Sequence, residues 1–377
     1  MEPATSSQGY LIPENGKQCE DGAEEDGLAF RQRLHQRFPK VVYALDFSWW
    51  KKPIVRRLFQ GSEVRFVRKV DRVPLGATLA VWGRKAINGR LAKEVSLVHL
   101  EDGFIRSVGL GADLIRPLSW VTDSRGIYYD ATQPSDLEHL LLTAAFSPAL
   151  VERGARLQRR IVESGITKYN VGKAGWNRPA GSRRVILVPG QVESDASIRY
   201  AAPGIRTNIA LLQTVREANP DAYVVYKPHP DVLAGLRAMG DGENGAFAWC
   251  NEVVMEVSMA NMLTLVDEVH VLTSLAGFEA LLRGKPVTTY GQPFYAGWGL
   301  TCDKAPIPRR TRHLTLSELV AGVLILYPTY ISRTAGCFIT PERALDELLA
   351  WRETAGDRLP LWRRILRPFL RLTSDNG

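Results

Sequence analysis

The sequence predicts an α/β fold built from two Rossmann-like domains facing a cleft, and three observations carry that expectation. Short apolar runs of about four to six residues alternate with helix-compatible segments, the rhythm of strands buried on both faces of a sheet. A stretch dense in glycine and proline, Val171-Gly-Lys-Ala-Gly-Trp-Asn-Arg-Pro-Ala-Gly-Ser, interrupts that rhythm midway. At 377 residues and 45% hydrophobic content, the chain can bury two cores of ordinary size.

Residues 1–28 hold mostly polar and acidic side chains and are expected to be a disordered acidic N-terminus. Residues 29–170 form the first domain, with strands expected at 41–45, 79–82 and 95–100 in a parallel sheet. A helical pattern follows over 136–161, with Leu137, Leu140, Leu141 and Ala144 on one face and Leu150, Leu157 and Ile161 continuing it beyond Pro148. The second domain, 183–315, gives strands at 184–188, 223–226, 268–272 and 286–290, with helices at 208–219 and 276–283. Residues 316–357 read as helical and are expected to return and brace the first domain. In 358–377, Trp362, Ile365, Leu366, Phe369 and Leu370 fall on one helical face with Arg363, Arg364, Arg367 and Arg371 around it. Pro368 interrupts that basic amphipathic tail, so peripheral membrane contact, a docking helix and a solvated tail all stay open.

The formal net charge of +8 hides unlike segments: −6 over residues 1–27, +4 over 358–377, and +10 on the body between. A basic body favours an anionic substrate such as a nucleotide or a charged glycan. Nucleic acid is not expected as a partner, because the basic residues are dispersed and no helix-turn-helix, zinc or RNP-type pattern accompanies them. Cys19, Cys250, Cys302 and Cys337 are scattered, which indicates neither a metal site nor a disulfide framework. The opening residues lack a secretory pattern, and the longest apolar stretch, 319–327, falls short of the roughly 20 residues that span a bilayer. A cytoplasmic protein is expected.

In doubly wound sheets ligands sit beyond the carboxyl ends of strands, so the residues after each apolar run matter most. Four exits stand out: Glu101-Asp102-Gly103, Gly190-Gln191-Val192-Glu193-Ser194-Asp195, Lys227-Pro228-His229-Pro230, and Thr273-Ser274-Leu275-Ala276-Gly277-Phe278-Glu279. Asp-Gly is also a common turn pair. Ser274 is either a plain helix N-cap or part of a phosphate-binding helix start. Gln191, Glu193 and Asp195 could cap the following helix or contact a ligand. Lys-Pro-His-Pro is the most pointed, since two prolines hold a rigid exit that presents two fixed donors suited to a phosphate.

Together with Gln292-Pro293-Phe294-Tyr295-Ala296-Gly297-Trp298-Gly299-Leu300-Thr301, these exits resemble the KpsC/LipA-like capsule polysaccharide biosynthesis family. The resemblance runs from about Val41 to Leu326 and covers one transferase module, whereas KpsC carries two. The acidic-acidic-Gly and His-Pro motifs also look like those of bacterial polysialyltransferases, which use CMP-sialic acid.

The resemblance implies a GT-B-like glycosyltransferase that retains configuration and moves Kdo from CMP-β-Kdo to a glycolipid or polysaccharide acceptor, with no cofactor or metal. Asp102 is then the candidate nucleophile, with Glu101 beside it, and Glu193 or Asp195 the candidate for activating the acceptor. The CMP-sugar falls to Gln191, Asp195, Lys227, His229, Pro230, Thr273, Ser274 and Glu279, with Glu279 on the ribose by analogy. Arg106 is a candidate for the Kdo carboxylate or a surface arginine, and Tyr295 and Trp298 are expected to line the cleft. Work at the inner face of the cytoplasmic membrane would suit a lipid-linked acceptor. Two rivals remain: a UDP-sugar epimerase-like enzyme, and a non-catalytic polysaccharide assembly or export factor.

Overall fold

The computed structural model describes residues 38–92, 94–108, 116–168, 170, 175–182, 184–235 and 237–355. The acidic stretch 1–28 and the basic tail 358–377 lie outside the described residues. Five strands open the chain: β1 Val41–Leu45, β2 Glu63–Val67, β3 Thr78–Trp82, β4 Ser96–Asp102 and β5 Ser119–Asp123. Six more follow: β6 Val185–Pro189, β7 Tyr223–Lys227, β8 Glu252–Val253, β9 Glu268–Val271, β10 Val287–Thr289 and β11 Cys302–Asp303. Two short ones close it, β12 Thr329–Ile331 and β13 Phe338–Ile339.

These strands build two sheets. The second has the order β11-β10-β9-β6-β7-β8, and every pairing in it is parallel. Read from β8, that is the doubly wound order whose direction reverses between its first and fourth strands, here β6 and β9. All five residues of β6 are buried, which is why its Val-Ile-Leu-Val-Pro run carries no polar alternation.

The first sheet has the order β13-β12-β5-β4-β3-β1-β2. Strands β1 to β4 pair in parallel, but β5 runs antiparallel to β4, β12 antiparallel to β5, and β13 antiparallel to β12. The expected parallel sheet is therefore mixed. The sequence of β5, Ser-Trp-Val-Thr-Asp, is fully buried despite three polar residues, because those residues are satisfied inside. Asp123 alone accepts from the Asp136, Gly126 and Arg125 amides and from the Tyr327 hydroxyl.

The helical pattern over 136–161 is two helices, Asp136–Thr143 and Pro148–Glu163. Ser147 caps the second by accepting from the Leu150 amide, and Pro148 sits where its missing N–H costs nothing. The helical reading of 316–357 also needs correction. A short helix, Leu316–Val320, runs into a π-helical turn, Ala321–Leu326; then come β12 and β13, and only Pro341–Ala355 is a long helix. Pro328 stops the first helix, and the β-branched Thr329 and Ile331 flanking Tyr330 add to the open edge of β5. The return to the first sheet is thus made by strands as well as helix. Cys250 and Cys302 are free, while Cys337 is disulfide-bonded, which its isolated position in sequence does not signal.

One apolar core runs through both halves, from Val121, Ile127 and Leu141 through Leu319 and Leu324 to Leu187, Val269 and Phe278. The Pro148–Glu163 helix lies in its middle, with Leu157 and Ile161 buried.

Candidate functional site

Strand β4 delivers Glu101 and Asp102 to the carboxyl edge of the first sheet. Asp102 is anchored from several directions. Its Oδ2 accepts from Arg106 Nε at 2.6 Å, its carbonyl accepts from the Tyr128 hydroxyl at 3.2 Å, and its amide donates to Glu101 Oε1 at 3.0 Å. The Arg106 side chain is only 3% exposed while that of Asp102 keeps 19%, so the carboxylate sits at the mouth of the pair. Burial first, and the Asp102 charge second, push Glu101 up to about 7. Burial also lowers Lys51 to about 8, with Glu101 and Asp102 acting to restore it. Its ammonium stands 3.3 Å from the centroid of the Trp82 ring.

Strand β7 delivers Lys227 and His229 to the matching edge of the second sheet. His229 N-caps the short Pro230–Leu233 helix, its Nδ1 accepting from the Asp231 amide at 3.1 Å. An Nδ1 that accepts leaves the ring proton on Nε2. Burial, helped by the Lys168 charge, lowers His229 to about 4, so the ring is neutral at physiological pH. Burial lowers Lys227 to about 8, and its ammonium donates to the Met255 carbonyl at 3.3 Å.

The two edges share one space. Asp195 acts electrostatically on His229 of the second half and on Tyr128 and Tyr129 of the first, and Lys168 acts on both Glu101 and His229. The Arg84 guanidinium, from the first half, lies 5.2 Å from the Tyr200 ring of the second. Lys51, Tyr128, Tyr129 and Lys168 join the candidate site although they lie outside the sequence motifs. Only the tyrosine pair following β5 carries any local signal; Lys168 sits in a plain turn before the glycine-rich stretch.

Several expected ligand contacts are occupied from within. Gln191 Nε2 donates to Ser197 Oγ and Thr273 Oγ1, both at 2.7 Å, so Gln191 and Thr273 knit the β6 and β9 exits together. Glu193 accepts from the Asn208 and Asp241 amides, one on each carboxylate oxygen. Asp195 caps the Ala196–Ala201 helix through the Ser197 amide. Ser274 caps the Leu275–Leu282 helix through the Ala276 amide, and Pro230 opens the helix that His229 caps. Glu279, raised by burial, accepts the Lys168 amide at 2.7 Å.

Tyr295 and Trp298 do not line the cleft; both are fully buried. The Tyr295 hydroxyl donates to the Ser274 carbonyl at 2.5 Å, and a Cβ on Gly277 would strike that hydroxyl. Trp298 Nε1 donates to the Phe294 carbonyl, with the Arg310 guanidinium 5.5 Å from its ring. Arg309 and Arg310 both pair with Glu138, and Arg310 also donates to the Pro293 and Ala296 carbonyls. Phe104, two residues past Asp102, packs on Phe294 at 4.6 Å and Phe278 at 6.3 Å between ring centroids. Three motif blocks far apart in sequence thus meet in one aromatic cluster below the site. Among the described residues, no group of three or more His, Cys, Asp or Glu could hold a metal ion, and no helix is long and apolar enough to cross a membrane.

A sequence model of the family described as capsule polysaccharide biosynthesis protein matches residues 77–173 and 150–332. The capsule polysaccharide modification protein LipA of Neisseria meningitidis serogroup A is 43% identical over 350 residues, 90% of this chain and 50% of its own. The lipopolysaccharide-processing protein LpsZ of Rhizobium meliloti is 40% identical over 82% of this chain and 74% of its own. The chain spans about half the length of the Neisseria relative it matches. Among solved structures, a β-Kdo 2,7 transferase of Thermosulfurimonas dismutans KpsC superposes with a TM-score of 0.70 at 43% identity, over 82% of this chain and 99% of that one. The β-Kdo 2,4 transferase of the same KpsC gives 0.73 at 32%, over 84% and 100%.

Proposed function

The chain belongs to the capsule polysaccharide biosynthesis protein family, and from that premise we propose that it is a retaining glycosyltransferase moving Kdo from CMP-β-Kdo to a lipid-linked glycan. The observation that carries the reading is the pairing of an anchored carboxylate, Asp102, on one sheet edge with a neutral imidazole and a buried lysine, His229 and Lys227, on the other. Two Rossmann-like halves with working residues at both carboxyl edges support a GT-B-like arrangement.

Asp102 attacks the anomeric carbon of Kdo as the bond to the CMP phosphate breaks, and the electron pair leaves with the phosphate. His229 Nε2–H and the Lys227 ammonium, with the positive end of the Leu275–Leu282 helix dipole, meet the charge that develops there. Arg106 holds the Asp102 carboxylate in line. The acceptor hydroxyl then attacks the same carbon, releasing Asp102, and its proton passes to a carboxylate. Glu101 suits that step, because a group titrating near 7 can take a proton and return it at neutral pH. Glu193 suits it less, since backbone amides hold both of its oxygens. Two inversions at one carbon give retention. Work at the inner face of the cytoplasmic membrane fits a lipid-linked acceptor.

Incubating the protein with CMP-Kdo and no acceptor tests the reading. Peptide mass spectrometry should find one Kdo residue on the peptide holding Asp102, absent from Asp102→Ala. Kdo transfer with no trapped adduct at any quench time would replace double displacement with a front-face path; binding of UDP but not CMP would overturn the donor.

A further inference from the structure

Apart from these residues, arginines gather where like charge is unfavourable. Strands β5 and β12 pair antiparallel with Ser119 opposite Tyr330 and Trp120 opposite Thr329, and the Ile331 amide donates to the Leu118 carbonyl at 2.9 Å. Arg116 lies just before β5 and Arg333 just after β12, so both leave the same end of that pair. Arg57, at the end of the Lys52–Leu58 helix, reaches the same place: a Cβ built on Gly336 would lie 2.9 Å from its Cζ. Gly336, at φ +71°, bonds back to the Ser332 carbonyl at 3.0 Å, so it shares one tight turn with Arg333. The Arg333 guanidinium is held 4.3 Å from the Trp351 ring.

Among the described residues, no acidic side chain ion-pairs with Arg57, Arg116 or Arg333. The nearby Glu347 is taken up by the Ser332 hydroxyl at 2.6 Å and the Arg333 amide at 2.9 Å. Like charges gathered close together repel one another. Burial, then the charges of Arg57 and Arg333, depress the Arg116 guanidinium. A bound anion would turn this liability into stability.

We propose that Arg57, Arg116 and Arg333 form a binding site for a phosphate group beside the carboxyl edge of the first sheet. Guanidinium forks match phosphate oxygens in pairs, so three gathered at one end of the β5–β12 pair favour phosphate over a single carboxylate. The site lies on the working edge, because Trp120 of β5 stands opposite Asp102. Strand β12 is two positions from β4, about 10 Å across the sheet. A ligand spanning that distance can hold its phosphate here and a hydroxyl near Asp102. The phosphate belongs either to a lipid headgroup or to free phosphate. Binding itself is independent of the proposed transfer reaction; assigning the phosphate to the acceptor rests on it.

The test uses the full chain with the double variant Arg116→Gln/Arg333→Gln and, separately, the exposed Arg57→Gln. Thermal unfolding at low salt is followed with inorganic phosphate and with chloride at equal ionic strength, and binding is measured to vesicles of phosphatidylglycerol in phosphatidylcholine and of phosphatidylcholine alone. Phosphate should raise the wild-type Tm, and the rise should shrink roughly fivefold or more in the double variant. Without anion, the double variant should melt no lower than wild type, because a repulsion has gone. A parallel loss of binding to the anionic vesicles assigns a lipid headgroup, and a lost phosphate response with vesicle binding intact assigns free phosphate. A double variant that unfolds cooperatively and keeps the wild-type phosphate response overturns the site; if it fails to fold, Arg57→Gln carries the same criterion. If CMP-Kdo is never turned over while the variants still lose the phosphate response, the transfer reading falls and the site stands.

Discussion

Asp102→Asn separates chemistry from architecture, because the proposed mechanism gives Asp102 a role in the first and its pairing with Arg106 gives it one in the second. As nucleophile it cannot be replaced by a neutral amide, and losing the covalent route should lower transfer by at least about a thousandfold, or about 4 kcal/mol of barrier. As partner of Arg106 it neutralises a guanidinium only 3% exposed. Removing one member of a buried pair costs about 3 to 5 kcal/mol, and the 19% exposure of Asp102 places this pair at the low end, near 3. For a chain of this size that is a fall in Tm of about 6 °C or less. The protein should therefore stay folded at 25 °C while losing activity. Arg106→Gln supplies the contrast: a comparable loss of stability with the carboxylate intact and far more activity kept. Radiolabelled Kdo transfer and circular-dichroism melts on both variants give the answer. Equal losses of transfer in the two would refute the nucleophile role and leave Asp102 as the partner of a buried arginine.

Other outcomes follow from the same geometry. Glu101 titrates near 7 in the fold against 4.5 ordinarily, so it favours folding at low pH and loses that contribution as pH rises from about 4.5 through 7; Glu101→Gln should gain Tm relative to wild type over that window. His229, held to about 4, is neutral throughout pH 5 to 7, so it should add no loss of CMP affinity by calorimetry as pH rises there, the CMP phosphate alone titrating at about 6, while His229→Ala weakens CMP binding and transfer together. A CMP affinity that collapses across pH 6.5 would mean a cationic ring. Glu138→Ala strands the buried Arg310 and should cost about 3 to 5 kcal/mol in urea unfolding. Gly277→Ala should break the Tyr295–Ser274 bond and lower CMP affinity, read by calorimetry.

Where burial leaves a plain apolar run, the sequence was readable. Strand β1 falls on 41–45 as expected, and the four principal strands of the second sheet lie within a residue or two of expectation. Strand β2 escaped because it is an edge strand, Glu-Val-Arg-Phe-Val, with no fully buried residue. Strand β5 escaped because its buried polar residues are satisfied by partners from elsewhere in the chain, which no local window reveals. Strands β12 and β13, of three and two residues, exist only because β5 offers an edge. Asp102, Lys227 and His229 were legible as candidates because they lie at strand exits, and the fold places them at the carboxyl edges of the two sheets. Lys51 and Lys168 arrive through tertiary placement alone. Tyr295 and Trp298 run the other way: a distinctive motif reads as a surface, yet its aromatics are the packing beneath one.

The order of the strands along the chain has a mechanical consequence. Strands β6 to β11 are threaded between β5 and β12, so the polypeptide leaves the first sheet once and comes back once. A body tethered by a single strand can swivel about any direction, whereas one tethered twice turns freely only about the line through its two attachments. The apolar core that runs from Val121 and Leu141 to Leu187 and Val269 opposes even that turn, since the Phe104, Phe278 and Phe294 rings within it would have to part before the sheets could move.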